Sequence, residues 1–322
     1  MKRVLVTGAT GFVGRHLCPQ LLEQGWLVRA AVRDGVRARS LLPAAVELAP
    51  IDDLDASPEW RASLSQVDVV VHLAARVPHA GGGANEADYQ RTNVAASEGL
   101  ARAAVGTARR FVYLSSVKVF GEESPGRPLR ADDPPRPAEA YGRSKLDAER
   151  ALAEILAGSG VELVIVRSAL VYGPGAGGNF LRLVEAVRVG RWLPVAALTA
   201  RRSMVCVDGL CELLLRCLEH PGAVGAPLLV ADPEDLTVAE LATRVGTLLG
   251  RSPKLLPVPA VLLRIAGALS GRTGEVRRLT QPLQVDLTDT EVRLGWQPSD
   301  PSSCLAATVR SLRRASGAAN GR

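Results

Sequence analysis

A glycine-punctuated turn close to the N-terminus constrains the fold more than any other stretch. An apolar run at residues 3–7 is followed directly by Gly8-Ala9-Thr10-Gly11-Phe12-Val13-Gly14 and then by leucines at helical spacing. Gly8 allows a tight turn after a strand, Gly11 lets a pyrophosphate approach the backbone, and Gly14 lets the helix pack against the sheet. A strand, such a turn and a helix N-terminus in succession predict the first part of a dinucleotide-binding βαβ unit.

The end of the next predicted strand, residues 26–33, indicates which dinucleotide is bound. An acid there binds the 2′-hydroxyl of the adenosine ribose, whereas an arginine suits a 2′-phosphate. Arg33 stands about 20 residues past the glycine turn, where that group is expected. This favours NADP(H) and leaves NAD(H) open, because Asp34 is the alternative ligand of the ribose. A short third strand leads to Asp53 and Leu54, where an acid is placed to meet the adenine amino group.

Composition and net charge indicate which classes of molecule the protein is expected to bind. The chain has 322 residues, a formal net charge of +6 and 4% aromatic residues. Nucleic-acid binding needs clustered cations with aromatic platforms, so we expect no nucleic-acid partner and favour an anionic small substrate. Pro257, Pro259 and Arg264 interrupt the apolar stretch 255–269, which therefore predicts a buried or groove-lining helix rather than a stable membrane insertion.

The number and spacing of the cysteines indicate whether the protein belongs to a reducing or an oxidising compartment. There are five of them, an odd number, without a C-x-x-C pair or metal-ligand spacing. This pattern argues against a disulfide framework and a metal site. Because no signal peptide precedes the first strand, we expect a reducing compartment, the cytoplasm.

The remaining chain predicts an α/β fold of the Rossmann type, a doubly wound parallel sheet with a smaller C-terminal substrate-binding lobe. Residues 67–75 read as a buried parallel strand in which His72 is a satisfied core side chain. A helix over 86–104 carries Asn93 inward, and a strand over 110–116 ends in two serines. We divide the chain into a dinucleotide-binding domain, 1–172, and a substrate-binding lobe, 173–322, with main-sheet elements returning near 203–231.

Three side chains from separate segments predict the chemistry. Ser116 lies at the end of a strand, where ligands of open α/β sheets bind, and Tyr141 and Lys145 share one face of a helix. A cation one helical turn away favours the phenolate, so Lys145 is expected to lower the pKa of Tyr141 and to bond the cofactor ribose. With Ser116 holding the substrate oxygen, the set predicts reversible hydride transfer at a carbinol carbon.

These motifs resemble the extended short-chain dehydrogenase/reductases, in particular the NAD-dependent epimerase/dehydratase family and its UDP-galactose 4-epimerase-like members. The resemblance covers nearly the whole chain and implies Ser116, Tyr141 and Lys145 as the catalytic set. The cofactor contacts that it implies, together with those argued above, are Gly8, Thr10, Gly11, Phe12, Val13, Gly14, Arg33, Asp53, Leu54, Leu73, Ala74, Ala75, Asn93, Tyr141 and Lys145.

The resemblance also implies a UDP-sugar as substrate, with hydride transfer at C4 by a 4-epimerase or a 4-ketoreductase. The implied substrate contacts are Ser116, Lys118, Asn179, Phe180 and Arg202, with Arg277 and Arg278 as candidates for a second arginine. Lys118 is either a second anion contact or a loop charge. Two alternatives stay open, an NADPH-dependent reductase of lipophilic ketones or aldehydes and a non-catalytic cofactor-sensing scaffold. The resemblance further implies a homodimer through the helices that start near residues 86 and 141.

Overall fold

The structure is a computed structural model that describes residues 2–52, 60–78 and 85–319. Asp53, Leu54 and the glycine run 81–83 lie outside the described residues.

The strands, numbered in chain order, are β1 (Arg3–Thr7), β2 (Leu27–Val32), β3 (Glu47–Pro50), β4 (Val69–His72), β5 (Arg110–Ser116), β6 (Glu162–Ser168), β7 (Leu170–Tyr172), β8 (Trp192–Leu193), β9 (Arg201–Arg202), β10 (Met204–Cys206), β11 (Leu228–Val230), β12 (Leu236–Thr237) and β13 (Lys254–Leu255).

The helices are α1 (Phe12–Glu23), α2 (Gly35–Leu41), α3 (Trp60–Ser63), α4 (Glu86–Tyr89), α5 (Ala96–Ala104), α6 (Ala140–Leu156), α7 (Gly178–Arg188), α8 (Val207–Cys217), α9 (Val238–Leu249), α10 (Ala260–Leu269), α11 (Thr273–Thr280), α12 (Thr288–Leu294) and α13 (Ser302–Ala319). A π-helical segment, Gln90–Ala95, joins α4 to α5, so the predicted helix over 86–104 is nearly continuous.

The main sheet has the order β11-β6-β5-β4-β1-β2-β3 in the described part of the chain, and each neighbouring pair runs parallel. This confirms the predicted doubly wound architecture. The chain order reverses between β1 and β4, which is where ligands bind in such sheets. The glycine turn after β1 and the serines at the end of β5 therefore face the same edge.

Apolar side chains alternate between the two faces of the sheet along its strands, and they pack into a hydrophobic core on each face. On one face Val4 and Val6 pack with Leu17 and Leu21 of α1. On the other, Leu5 joins a core that includes Leu100 of α5 and Leu152 of α6. Because successive strand side chains point to opposite faces, this pattern fixes α1 and α6 on opposite sides of the sheet.

The second lobe is built on short two-stranded sheets. β11 returns to the main sheet beside β6, as predicted. The expectation that residues 203–207 also rejoin that sheet is wrong, because β10 pairs with β7. β7 follows β6 after a break at Ala169, whose N–H donates to the Val230 carbonyl, and the separate β7 offers β10 a parallel edge. Reciprocal bonds between Thr237 and Glu240 cap the start of α9.

The apolar stretch 255–269 contains the predicted helix, but the prediction that this helix is buried is wrong. α10 occupies residues 260–269, and most of its apolar side chains are exposed. Apolar composition predicts burial, but this helix packs through one narrow face only. None of the helices in residues 2–52, 60–78 and 85–319 is long and apolar enough to cross a membrane.

A disulfide joins Cys206 to Cys304, across 98 residues of sequence, and contradicts the expectation that the cysteines are unpaired. The bond ties the start of α8 to α13. An odd count does not forbid one bond: Cys18, Cys211 and Cys217 remain free and buried. Counting cysteines could not show that α13 packs here, since that contact is made only in the folded chain. The reducing compartment stays a prediction.

Candidate active site

The turn after β1 has the geometry that its glycines predict. Gly8 has a φ of +68°, and a Cβ placed on it would lie 2.7 Å from the Ala74 nitrogen at the end of β4. A Cβ on Gly14 would lie 2.4 Å from the Gly8 carbonyl oxygen. Any side chain at either position would therefore force the turn away from β4 or open the start of α1.

The start of α1 fits the pyrophosphate of a dinucleotide. Gly11 is the N-cap, no side chain among the described residues caps the helix, and its first turn holds no acid. The first N–H groups of a helix lack intrahelical partners and favour an anion. A Cβ on Gly11 would lie 3.0 Å from the Gly8 carbonyl oxygen, closer than an ordinary contact, so a side chain here would crowd the turn. Thr10, Phe12 and Val13 line this start, where the sequence places the phosphate contacts.

At the end of β2, the two predicted ribose ligands, Arg33 and Asp34, differ in whether they already have a partner in the chain. The Asp34 carboxylate caps α2 by accepting a bond of 2.9 Å from the Arg37 N–H. Arg33 is exposed and has no hydrogen-bonding or ion-pair partner within residues 2–52, 60–78 and 85–319. The guanidinium is thus free for a ligand, whereas the carboxylate already has a partner in the chain.

His72, on β4, is confirmed as a satisfied core side chain. Its Nδ1 lies 2.6 Å from the Thr7 Oγ1 and its Nε2 lies 2.8 Å from the Ser97 Oγ. Burial and, to a smaller extent, the positive charge of Lys145 lower the pKa of His72 to about 3. The ring is therefore neutral and ties β1 and β4 to α5. Leu73, Ala74 and Ala75 follow it toward the cofactor edge, where the Ala74 N–H donates to the Thr7 Oγ1 at 3.3 Å.

Asn93 lies inward, as predicted, in the π-helical segment. Its Oδ1 accepts a bond of 2.7 Å from the Arg76 N–H, and its Nδ2 donates to the Ser144 Oγ at 2.9 Å. The side chain therefore joins the segment after β4 to α6. Its local role is to hold that segment in place, and a direct cofactor contact stays a prediction.

Ser116 and Tyr141 meet at the carboxyl end of β5. Tyr141 is the second residue of α6, and burial raises the pKa of its phenol to about 12, while a hydrogen bond with Ser116 lowers it. The ring also packs edge-on against Tyr89, with ring centroids 6.1 Å apart. Tyr141 is therefore a protonated phenol at neutral pH, and the Ser116 hydroxyl that the sequence predicts as its partner lies near it.

Lys145 lies one turn further along α6, and two of its three N–H donors bond to β5. Its Nζ donates to the Leu114 carbonyl at 2.7 Å and to the Tyr113 Oη at 3.1 Å. Burial lowers the pKa of Lys145 to about 7, and the charge of Glu149 raises it. The predicted lowering of the Tyr141 pKa by Lys145 is not what this geometry produces, because desolvation of the phenol outweighs it.

Sequence reasoning missed a buried ion pair beneath these groups. Arg167 on β6 forms a double contact with Glu149 on α6, and its Nη2 donates to the Glu149 Oε2 at 2.6 Å. Ser115 also donates to Glu149. Tyr141, Lys145 and Glu149 recur at every fourth residue of α6, and this spacing was the one available signal.

A cluster of three cations faces two carboxylates where the second lobe meets the main sheet. Lys118 is ion-paired with the buried Glu122, and the Nη2 of Arg278 donates to Glu139 at 2.7 Å. Arg202, on β9, donates to the Gln281 carbonyl at 2.9 Å. Burial lowers the pKa of Arg202, while Glu122 raises it and Arg278 lowers it. The cluster thus retains one excess positive charge, which suits an anionic ligand.

The cluster distinguishes between the two candidate arginines. Arg278 belongs to it, whereas Arg277 is exposed and lies 3.4 Å from Glu123. Lys118 is a member of the same cluster and not an isolated loop charge.

Asn179 and Phe180 lie side by side at the start of α7 but in different environments. Asn179 is exposed. Phe180 is buried and stacks on Tyr172, with ring centroids 5.1 Å apart. Phe180 therefore anchors α7 to β7, and of the two it is Asn179 whose side chain is accessible to a ligand.

Comparison with known proteins identifies the family and the fold. The model of the NAD dependent epimerase/dehydratase family matches residues 4–231. A UDP-glucose 4-epimerase of Vibrio cholerae is 37% identical over 305 residues, which cover 92% of this chain and 91% of that protein. The structure of MoeE5 in complex with UDP-glucuronic acid and NAD has a TM-score of 0.78 at 27% identity, covering 97% of this chain and 99% of that one. A UDP-glucuronic acid 4-epimerase from Bacillus cereus, solved in complex with NAD, has the same fold, with a TM-score of 0.79 at 22% identity over 97% of this chain and 99% of that one.

Proposed function

Because the chain belongs to the NAD dependent epimerase/dehydratase family, we propose that it interconverts the C4 epimers of a UDP-hexose by reversible hydride transfer. The observation that carries the proposal is the proximity of Tyr141 to Ser116, with Lys145 one helical turn away, at the sheet edge that holds the glycine turn. The name of the Vibrio cholerae relative supports epimerisation over net reduction.

Each catalytic side chain has a distinct role in this proposal. In oxidation Tyr141 acts as the phenolate and takes the proton of the C4 hydroxyl, and in reduction the resulting phenol returns that proton. Because burial keeps the phenol protonated at neutral pH, it must first release its own proton to solvent. Ser116 holds the C4 oxygen within reach of the phenol. Lys145 adds positive charge where the phenolate and alkoxide develop, and a pKa of about 7 leaves it partly charged at neutral pH. The nicotinamide, when bound, supplies the hydride acceptor and donor.

The cation cluster is the proposed site for the diphosphate of the substrate. Arg202, Lys118 and Arg278 outnumber the carboxylates of Glu122 and Glu139, so a bound diphosphate would neutralise an excess charge rather than add one. Guanidinium groups suit paired phosphate oxygens in geometry as well as charge. Asn179 is the proposed neutral hydrogen-bond contact from α7.

The proposal is tested by incubating the protein with UDP-hexoses and with their 4-keto derivatives, with and without added NADPH. We expect a UDP-hexose to convert to its C4 epimer without added reductant, and the product is identified by chromatography. Stoichiometric NADPH loss with a 4-keto sugar would indicate a 4-ketoreductase instead. NADPH loss with lipophilic ketones, and no change in any UDP-sugar, would overturn the proposal in favour of the lipophilic reductase.

Arg33 is the proposed determinant of cofactor choice and favours NADP(H). Because its guanidinium is unpartnered within the described ranges and Asp34 is occupied as a helix cap, we expect Arg33→Ala to weaken NADPH binding about tenfold or more, and NADH binding little. Titration of the protein with each dinucleotide measures this. Arg37→Ala, a change at a neighbouring exposed arginine, is the matched control. Equal losses for both dinucleotides would show that Arg33 does not read the 2′-phosphate and would favour NAD(H).

Three further expectations remain predictions. We infer a homodimer through the outer faces of α5 and α6, which already pack against each other in one chain. The division into 1–172 and 173–322 and a cytoplasmic location rest on the sequence and on the family resemblance.

A further inference from the structure

α10 presents an apolar stripe to solvent. Val261, Leu262, Ile265 and Leu269 have exposed fractions of 62%, 56%, 52% and 85%. On a helical wheel these residues lie about 120° to 220° from Gly267. We call these four side chains the α10 patch.

The opposite face of α10 is the one that packs. Of its ten residues, all of them described, Gly267 alone is buried, and a Cβ there would lie 2.6 Å from the Val276 Cγ2 of α11. Because Gly267 has no side chain, α10 and α11 can pack closely together at this point. The α10 patch faces away from α11 and from the cation cluster near Arg278.

The segment 251–274, which contains the α10 patch, carries charges of one sign only. Residues 251–274 contain no aspartate or glutamate and carry four cations: Arg251, Lys254, Arg264 and Arg272. None of these four is ion-paired with a residue in the described ranges. Trp192, an exposed aromatic ring, lies beside Lys254 in the pairing of β8 with β13, with the Lys254 Nζ 5.5 Å from the ring centroid. Apolar side chains, one tryptophan and unpaired cations are the composition of helices that lie at a lipid–water interface.

We propose that the α10 patch and its four cations dock the protein onto the surface of an anionic phospholipid membrane. The apolar side chains would enter the acyl boundary, and the cations would contact lipid headgroups. A second copy of this chain is a weaker choice of occupant, because two α10 patches face to face would bring two sets of unpaired cations together. This inference does not depend on the proposed reaction.

The experiment is flotation of the full chain with vesicles of phosphatidylcholine alone or of equal parts phosphatidylcholine and phosphatidylglycerol. We expect binding to the anionic vesicles that is lost in high salt, and little binding to the neutral ones. Leu262→Ser with Ile265→Ser should reduce binding below detection. Arg264→Gln with Arg272→Gln should weaken it about 30-fold, at roughly a fivefold effect per cation.

Matched controls distinguish docking through the α10 patch from nonspecific adsorption to vesicles. Val36→Ser and Val292→Ser remove exposed valines on α2 and α12, outside the α10 patch, and should leave vesicle binding unchanged. Circular dichroism checks that each variant is folded. Failure of the wild type to float with anionic vesicles would overturn the proposal, as would binding that survives both double substitutions. A dimer that Leu262→Ser with Ile265→Ser dissociates, without vesicle binding, would assign the α10 patch to a second copy.

Discussion

Tyr141→Phe is expected to lower kcat about 10²- to 10⁴-fold while the UDP-sugar and the dinucleotide still bind. The substitution removes the phenol oxygen, which lies near Ser116, and it keeps the ring that packs against Tyr89. Proton transfer at the sugar oxygen then lacks its donor and acceptor, whereas the cation cluster and the glycine turn are untouched. Single-turnover kinetics measure the chemical step, and equilibrium titration measures the two binding constants.

Tyr89→Phe is the matched control for this prediction. Tyr89 is a buried tyrosine that touches the same ring, and it lies on α4 rather than at the end of β5. We expect kcat of this variant to stay within a fewfold of the wild type. If Tyr141→Phe retained full turnover, or if both phenylalanine variants lost activity equally, Tyr141 would not be the proton-transfer group.

Most of the site elements could be predicted because they depend on local sequence. Gly8, Gly11 and Gly14 require a particular backbone, and the apolar strands around them leave few ways to build the sheet. The approach of Ser116 to Tyr141 followed from the rule that ligands gather where parallel strands end. These inferences needed no knowledge of distant contacts.

The elements that could not be predicted depend on contacts between distant segments. Cys206 and Cys304 meet only because α13 folds back to the start of α8. Arg278 joins Lys118 and Arg202 from separate parts of the chain, and the sequence offered Arg277 as an equal candidate. The exposure of α10 escaped prediction because apolar composition alone does not say whether a partner element covers it.

The buried pair of Glu149 and Arg167 leads to the second prediction of large effect. Glu149→Ala would leave the Arg167 guanidinium buried without its carboxylate, with the Ala131 carbonyl at 3.2 Å and the face of the Phe120 ring as its remaining partners. Breaking a buried pair by removing one member costs about 3 to 5 kcal/mol. We expect the free energy of unfolding to fall by that amount, measured by urea denaturation of the full chain.

Glu162→Ala is the matched control, since it removes the carboxylate from another buried arginine. Arg110 keeps bonds to the Cys217 and His220 carbonyls, and Glu162 is half-exposed, so we expect a loss of about 1 kcal/mol or less. Removing both charges, by Glu149→Leu with Arg167→Leu, should recover much of the stability lost in Glu149→Ala. A Glu149→Ala variant as stable as the Glu162→Ala variant would contradict the described pairing.

Glu149→Gln separates the electrostatic role of this carboxylate from its packing. The negative charge of Glu149 raises the pKa of Lys145, which burial has lowered to about 7. Without that charge the pKa of Lys145 should fall further, so the ammonium is lost at a lower pH than in the wild type. If Lys145 must be charged to assist Tyr141, the alkaline limb of the kcat profile of Glu149→Gln moves to lower pH. An unchanged profile would mean that Glu149 stabilises the fold without tuning the proton-transfer site.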